Sequence, residues 1–286
     1  MKLNVAFCLI LAILNTAYAE TPAKRDYAFL TTWPKQPRDD ASVNSDAQIS
    51  TDRPSFTDAS NTVPRGTRQI ELGYTYSRIK SLSSKLNSHS YPEIALRQGI
   101  FTDWLEVRVS QNLNSTNYAG KTETDFDNLE LGTRFAITPQ FGFLPELSVT
   151  PHLQLPTGSG ELRAHHNLPG VSISYSWDIS DYFSIAGSTQ VYQAEELISN
   201  SRYYEWLPSM VMTWSITQEV AIWCEVAGFL PTKAAKQSDS YFTDFGILYV
   251  LGKNVQVDFR IGGELGGGLD QNIFTGVGLS IRYYST

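Results

Sequence analysis

Residues 273–284 read IFTGVGLSIRYY. Ile273, Thr275, Val277, Leu279, Ile281 and Tyr283 alternate with Phe274, Gly276, Gly278, Ser280, Arg282 and Tyr284. A β-strand has a side-chain period of two, so this stretch predicts a strand with one apolar face and one face of mostly small or charged residues. Such a strand is half buried, and its open edges need partners. The same design recurs back to about Thr67.

Twelve alternating segments can be drawn: 67–78, 91–100, 105–113, 128–137, 146–155, 170–178, 182–192, 204–214, 220–229, 241–251, 255–265 and 273–284. Sandwich strands usually run five or six residues, whereas a tilted strand needs about nine to eleven to cross a bilayer. These segments are of the longer kind. The connections alternate too. Residues 101–103, 179–181, 215–218 and 252–254 are tight and 138–145 is of medium length, while 79–90, 114–127, 156–169, 193–203, 230–240 and 266–272 are long. Short turns on one rim and long loops on the other are the pattern of outer-membrane barrels. The expected fold is therefore all-β: a closed antiparallel up-and-down transmembrane β-barrel of about 12 strands, with short periplasmic turns and longer extracellular loops. Closure requires the last strand to pair with the first, because hydrocarbon offers no partner to an open edge. Trp104, Trp177, Trp214, Tyr249 and Tyr283 fall near the short-turn side, and Tyr74, Tyr76, Tyr91, Tyr192, Tyr204 and Tyr241 near the long loops. Two interfacial aromatic belts are expected from this sorting.

The N-terminus is organised differently. Lys2 is followed by an apolar run from Leu3 to Leu14 and then Ala17-Tyr18-Ala19. Residues 1–19 read as a signal peptide, cut after Ala19. After that cut one cysteine remains, Cys224, so no internal disulfide framework is available. The net charge is −7 with scattered Lys and Arg, which disfavours a nucleic-acid partner. Residues 20–66 form a Pro-, Asp- and Ser-containing leader without periodicity. Its last part, 48–66, is QISTDRPSFTDASNTVPRG; either it trails as a flexible periplasmic segment or it plugs the barrel, with Asp52, Arg53 and Asp58 pairing Arg97, Arg108 or Glu106. The barrel proper is expected over 67–286.

The inward register carries charge. Glu71, Arg97, Glu106, Arg108, Glu130, Arg134, Glu146, His152, Asp258, Arg260 and Arg282 are all expected in the lumen. A charge facing lipid at the midplane costs about 2–4 kcal/mol, which enforces that placement. Two readings stay open: a network of ion pairs that stiffens the lumen, or a polar pathway for a solute. Opposed pairs such as Arg108–Glu130 would close the bore. His152 stands alone, and His165-His166 lie in a loop, so no metal site and no cofactor is expected. A lipid-cleaving enzyme would need an outward Ser–His pair. None can be drawn, so no catalytic residue is expected.

The run from Thr51 to Arg78, TDRPSFTDASNTVPRGTRQIELGYTYSR, resembles the outer-membrane transporter family of the phenol-degradation meta-pathway type, as does LPTG at Leu155–Gly158. The likeness covers roughly residues 48–286. It implies an outer-membrane barrel of a Gram-negative bacterium, inserted by the barrel-assembly machinery among outer-membrane lipid. The expected activity is passive uptake of small solutes, hydrophobic or aromatic ones among them. The alternative is a structural or interaction barrel with an occluded lumen, and a lipid-modifying enzyme comes third. Outer-membrane barrels usually end on an aromatic residue; this chain ends Tyr283-Tyr284-Ser285-Thr286.

Overall fold

The computed structural model describes residues 48–80, 85–196, 199–232, 234, 237–265 and 271–284. The signal peptide expected over 1–19 and the leader over 20–47 lie outside the described residues. Thirteen strands follow in order: β1 Thr67–Lys80, β2 Lys85–Gly99, β3 Leu105–Tyr118, β4 Lys121–Phe126, β5 Leu129–Thr138, β6 Glu146–Leu155, β7 Leu168–Ser180, β8 Phe183–Glu195, β9 Arg202–Ser215, β10 Val220–Thr232, β11 Ser240–Val250, β12 Val255–Leu265 and β13 Gln271–Tyr284. Each strand pairs antiparallel with the next except β4, which pairs only β3; β3 also pairs β5, and β1 pairs β13. The sheet is thereby a closed ring of twelve strands. The seam joins Thr67 to Tyr284 and continues to Lys80 opposite Gln271, so every residue of the opening stretch finds a partner on β1.

β4 is the additional strand. It pairs the outer half of β3, from Leu113 opposite Phe126 to Tyr118 opposite Lys121, while β5 pairs the inner half. β4 and β5 together form one wall position, broken at Asp127 and Asn128. The stretch 114–127, expected as a long loop, is rich in Ser, Thr and Asn on both faces. Beyond the bilayer no face needs to be apolar, so the alternation signal vanishes while the ladder continues. The turn is Ala119-Gly120 with φ of 50° and 83°. Two positive φ values are what a tight hairpin with the sheet's own twist requires. The usual Asn-Gly or Asp-Gly signature is absent here. β1 and β2 likewise extend to Lys80 and Lys85, into the expected loop 79–90.

The burial pattern is inside-out relative to a soluble protein. Phe259, Ile261, Val277 and Phe245 face outward and are 43–55% exposed, whereas Arg97 and Arg134 are at most 1% exposed. This is the apolar belt and polar lumen of a membrane barrel. Trp214 and Trp177 lie at the short-turn rim, and Trp206, Tyr204 and Tyr241 toward the other end. Tyr192 differs from its expected belt position: it shares the register of the buried Ser188 and bonds Glu205 inside the barrel.

Candidate functional site

Residues 48–66 lie within the lumen, as a loop that climbs from the periplasmic rim and returns to it. At the rim Gln48 Nε2 donates to Gln218 O (2.6 Å) and Ile49 N donates to Lys253 O (3.0 Å), holding two short turns. On the return, Val63 N donates to Glu106 (2.7 Å) and Arg65 N to Asp103 Oδ1 (2.8 Å), just before β1 begins.

On one flank the loop meets the arginines of β2, β3 and β5. Asp52 Oδ2 lies 2.9 Å from Arg108 Nη2 and 3.7 Å from Arg97 Nε, and Asp52 Oδ1 lies 3.0 Å from Arg134 Nη2. Asp52 also accepts from Ala59 N across the loop (2.9 Å). Asp58 stands 3.5 Å from Arg108 and 3.8 Å from Arg134. Arg97 is shared with Glu106 (2.8 Å) and Glu71 (3.2 Å). Glu71 accepts from the backbone N–H of Asp52 and of Arg53, at 3.1 Å each. Burial opposes the charged form of Asp52, but Arg108, Arg134 and Arg97 outweigh it and hold the carboxyl well below the ordinary carboxylate range. Breaking a buried pair by removing one partner typically costs about 3–5 kcal/mol, since the survivor stays buried and uncompensated. The segment and the wall are therefore mutually dependent.

Arg53 takes a different route from the one expected. It pairs with Glu93 and lies 3.6 Å from Asp258, and its Nη2 donates to Val277 O (3.2 Å). Two glycines make this possible. Gly73 and Gly278 are partners across the β1–β13 seam, and a Cβ on either would collide with the Arg53 guanidinium. The glycine face of the opening stretch is thus a slot for one side chain.

The tip of the loop is aromatic. Phe56 meets Phe229 at 5.5 Å and Phe274 at 5.8 Å, both edge-on, and Phe242 at 6.0 Å. Arg260 lies over the rings of Phe56 and Phe274 and donates to Pro54 O (2.7 Å). Glu225 of β10 anchors the tip, accepting from Phe56 N (2.8 Å), Thr57 N (2.7 Å) and Thr57 Oγ1 (2.6 Å). Below it, Ser148, Ser174, Ser188 and Ser209 lie opposite one another in a row across β6 to β9. Their small side chains leave the concavity that seats residues 57–60; Ser209 Oγ lies 2.7 Å from Thr57 Oγ1, and Ser60 Oγ donates to Glu146 (2.7 Å).

Among the expected lumen residues, Glu71, Arg97, Glu106, Arg108 and Arg134 converge with Asp52 and Asp58. Asp258 and Arg260 stand with Arg53 and Pro54, and Glu146 with Ser60. Arg282 lies at the rim, donating to Asn254 Oδ1 (3.1 Å) and Lys253 O (3.0 Å). Glu130 and His152 are not part of this cluster: Glu130 accepts from Gln154 (3.4 Å), and His152 packs by Gly170 and Tyr192. Arg108 turns to Asp52 and Asp58 instead of Glu130, because Gly132 opens space beside its stem. His165 and His166 both turn to Glu195. The Phe56 cluster and the Glu225 anchor were not anticipated. Their signal is Phe229, Phe242 and Phe274 standing together in the inward register of β10, β11 and β13.

A cavity of about 370 Å³ remains beside the loop on the opposite flank. Trp223, Val211, Ala186, Thr213, Glu146 and Asp178 contribute to its lining.

A closed twelve-strand antiparallel ring with an apolar exterior and a charged interior defines an outer-membrane β-barrel. The chain belongs to the family described as "Putative MetA-pathway of phenol degradation", matched over residues 51–283. Among solved structures it is similar to an outer membrane channel from Pseudomonas putida F1, at 12% identity, with a TM-score of 0.63 over 78% of this chain and 97% of that one. It also matches the β domain of the Bordetella autotransporter BrkA (12% identity, TM-score 0.49, 77% and 100% covered) and the CymD monoaromatic hydrocarbon channel (10% identity, TM-score 0.44, 78% and 90% covered). At such identities the likeness concerns the fold. The search of curated proteins gives no match.

Proposed function

We propose that this protein is an outer-membrane channel for passive uptake of small solutes, hydrophobic or aromatic ones among them, with residues 48–66 as its plug. The observation that carries this reading is the unfilled space of about 370 Å³ along the β6–β11 wall, beside a loop whose ion pairs to Arg108 and Arg134 lie on the opposite flank. A lumen built only for rigidity would be filled by its own side chains, as small barrels are. Here small side chains, Ser176, Ser184 and Ala186, leave the β7–β8 part of the wall unfilled. The family's description, which names phenol degradation, supports an aromatic solute. Export by the signal peptide 1–19 and insertion by the barrel-assembly machinery complete the proposal, with the domains ordered as signal peptide, leader with plug, and barrel over 67–286. The charged residues from Glu71 to Arg282 then serve two roles: the β1–β5 group seats the plug, and Glu146 borders the path.

The density of bonds around the loop supports a second reading, a structural barrel with an occluded lumen. Solute flux into liposomes holding the purified barrel separates the two. Uptake of any of an aromatic acid, a sugar or a hydrocarbon above empty liposomes supports the channel. No flux of any of them refutes it.

A further inference from the structure

The lumen is divided by charge. Among the described residues its arginines stand on β2, β3, β5, β12 and β13 and on the loop: Arg97, Arg108, Arg134, Arg260, Arg282 and Arg53, with Arg65 where the loop returns to the rim. The first three and Arg53 are bound to carboxylates, while Arg260 and Arg282 donate to backbone carbonyls of the loop or the rim. Strands β6 to β11 are different. Across those six strands the sequence has no lysine, and its one arginine, Arg202, is the outermost residue of β9. Their inward register nonetheless carries Glu146, Asp178, Glu205, Glu225 and Asp244. The cavity lies against this wall. Of the charged groups lining it, Arg53 is held by Glu93 and Asp258, and Asp58 by Arg108 and Arg134. Glu146 and Asp178 have no cationic partner among the described residues. Glu146 accepts one hydroxyl, from Ser60, and Asp178 stands at the periplasmic end of β7.

We infer that the open half of the lumen selects by charge, passing cations and neutral solutes and rejecting anions. This rests on the channel reading above. Carboxylates lining a narrow aqueous path raise the local concentration of cations and lower that of anions, and the low-dielectric wall focuses the field. Arg53, Arg97, Arg108 and Arg134 are paired with carboxylates, and neither Arg260 nor Arg282 lines the cavity, so the field of the path is set by the β6–β11 wall. The solute class follows: an aromatic amine or a neutral phenol-like ring passes, and an aromatic carboxylate does not.

The test uses the full-length purified barrel in planar bilayers under a tenfold KCl gradient. The expected reversal potential corresponds to a K⁺ to Cl⁻ permeability ratio above about 3, falling as salt is raised toward 1 M, where the screening length shortens to about 3 Å. The double variant Glu146→Gln/Asp178→Asn should lower the ratio by about twofold or more. Asp178→Asn alone is the second variant, since no bond to the loop depends on its carboxylate. In liposomes, benzylammonium should enter faster than benzoate. A ratio at or below one, or a ratio unmoved by both variants, overturns the inference while leaving the channel standing. Silence in both bilayer and liposome assays overturns the channel reading and the inference with it.

Discussion

Replacing Asp52 with asparagine keeps the shape of the side chain and its acceptor for Ala59 N while removing the charge shared by three arginines. In the native lumen that carboxylate lies 2.9 Å from Arg108, 3.0 Å from Arg134 and 3.7 Å from Arg97. Arg97 and Arg134 have fully buried side chains, so neither can turn to water when the charge goes. Loss of one partner from such a pair costs about 3–5 kcal/mol. Asp58 remains 3.5 Å from Arg108 and 3.8 Å from Arg134 and takes up part of the deficit, which places the expected cost near the lower figure. About 3 kcal/mol against the seated loop is roughly a hundredfold in the ratio of seated to released states. Single-channel recording reads this as the fraction of time spent in the higher-conductance state. The heat-induced mobility shift of the folded barrel in gels reports separately whether the strands still close. An open fraction that rises less than about threefold, with the barrel intact, would refute the idea that this network seats the loop. Combining Asp52→Asn with Arg134→Gln should recover part of the loss, since groups in one network couple by about 0.5–3 kcal/mol.

Three further outcomes follow from the same geometry. Gly278→Val fills the Arg53 slot, so Arg53 leaves Glu93 and Asp258 and the loop becomes sensitive to protease from the periplasmic side; Gly228→Ala, whose added Cβ would meet side-chain atoms only at 3.4 Å or more, should protect as the wild type does. Phe56→Ala removes the edge-on contacts to Phe229 and Phe274 and should weaken the tip by about 2 kcal/mol, read as faster hydrogen exchange at Thr57 N with little change at Val63 N. Phe259→Arg, on the lipid face, should lower barrel stability by about 2–4 kcal/mol in a denaturant titration, against less than about 1 kcal/mol for the same change at Tyr204 near the rim.

The amino-acid sequence by itself determined the wall of this protein. Alternation is a local property: each residue's face follows from its neighbours at i±2, and lipid enforces it at a cost of kilocalories per charge. That is why Glu71, Arg97, Glu106 and Arg134 could be assigned to the lumen, and why IFTGVGLSIRYY could be matched to β1. Where the lipid constraint ends, as in residues 114–127, the alternation becomes illegible although the strand continues. What only the tertiary structure decided is who meets whom inside. Gly73 and Gly278 form one slot because closure sets β1 and β13 in a single register, and neither glycine announces this in its own neighbourhood. Arg53 therefore goes to Glu93 and Asp258, Arg108 goes to Asp52 and not to Glu130, and Phe56 finds three rings from three distant strands. Charge pairing in a lumen is set by ring closure and by the path of the loop through it, and both are long-range. The last strand, read first as one apolar and one small face, seals the sheet with the first and with the second makes room for the arginine that the loop carries in.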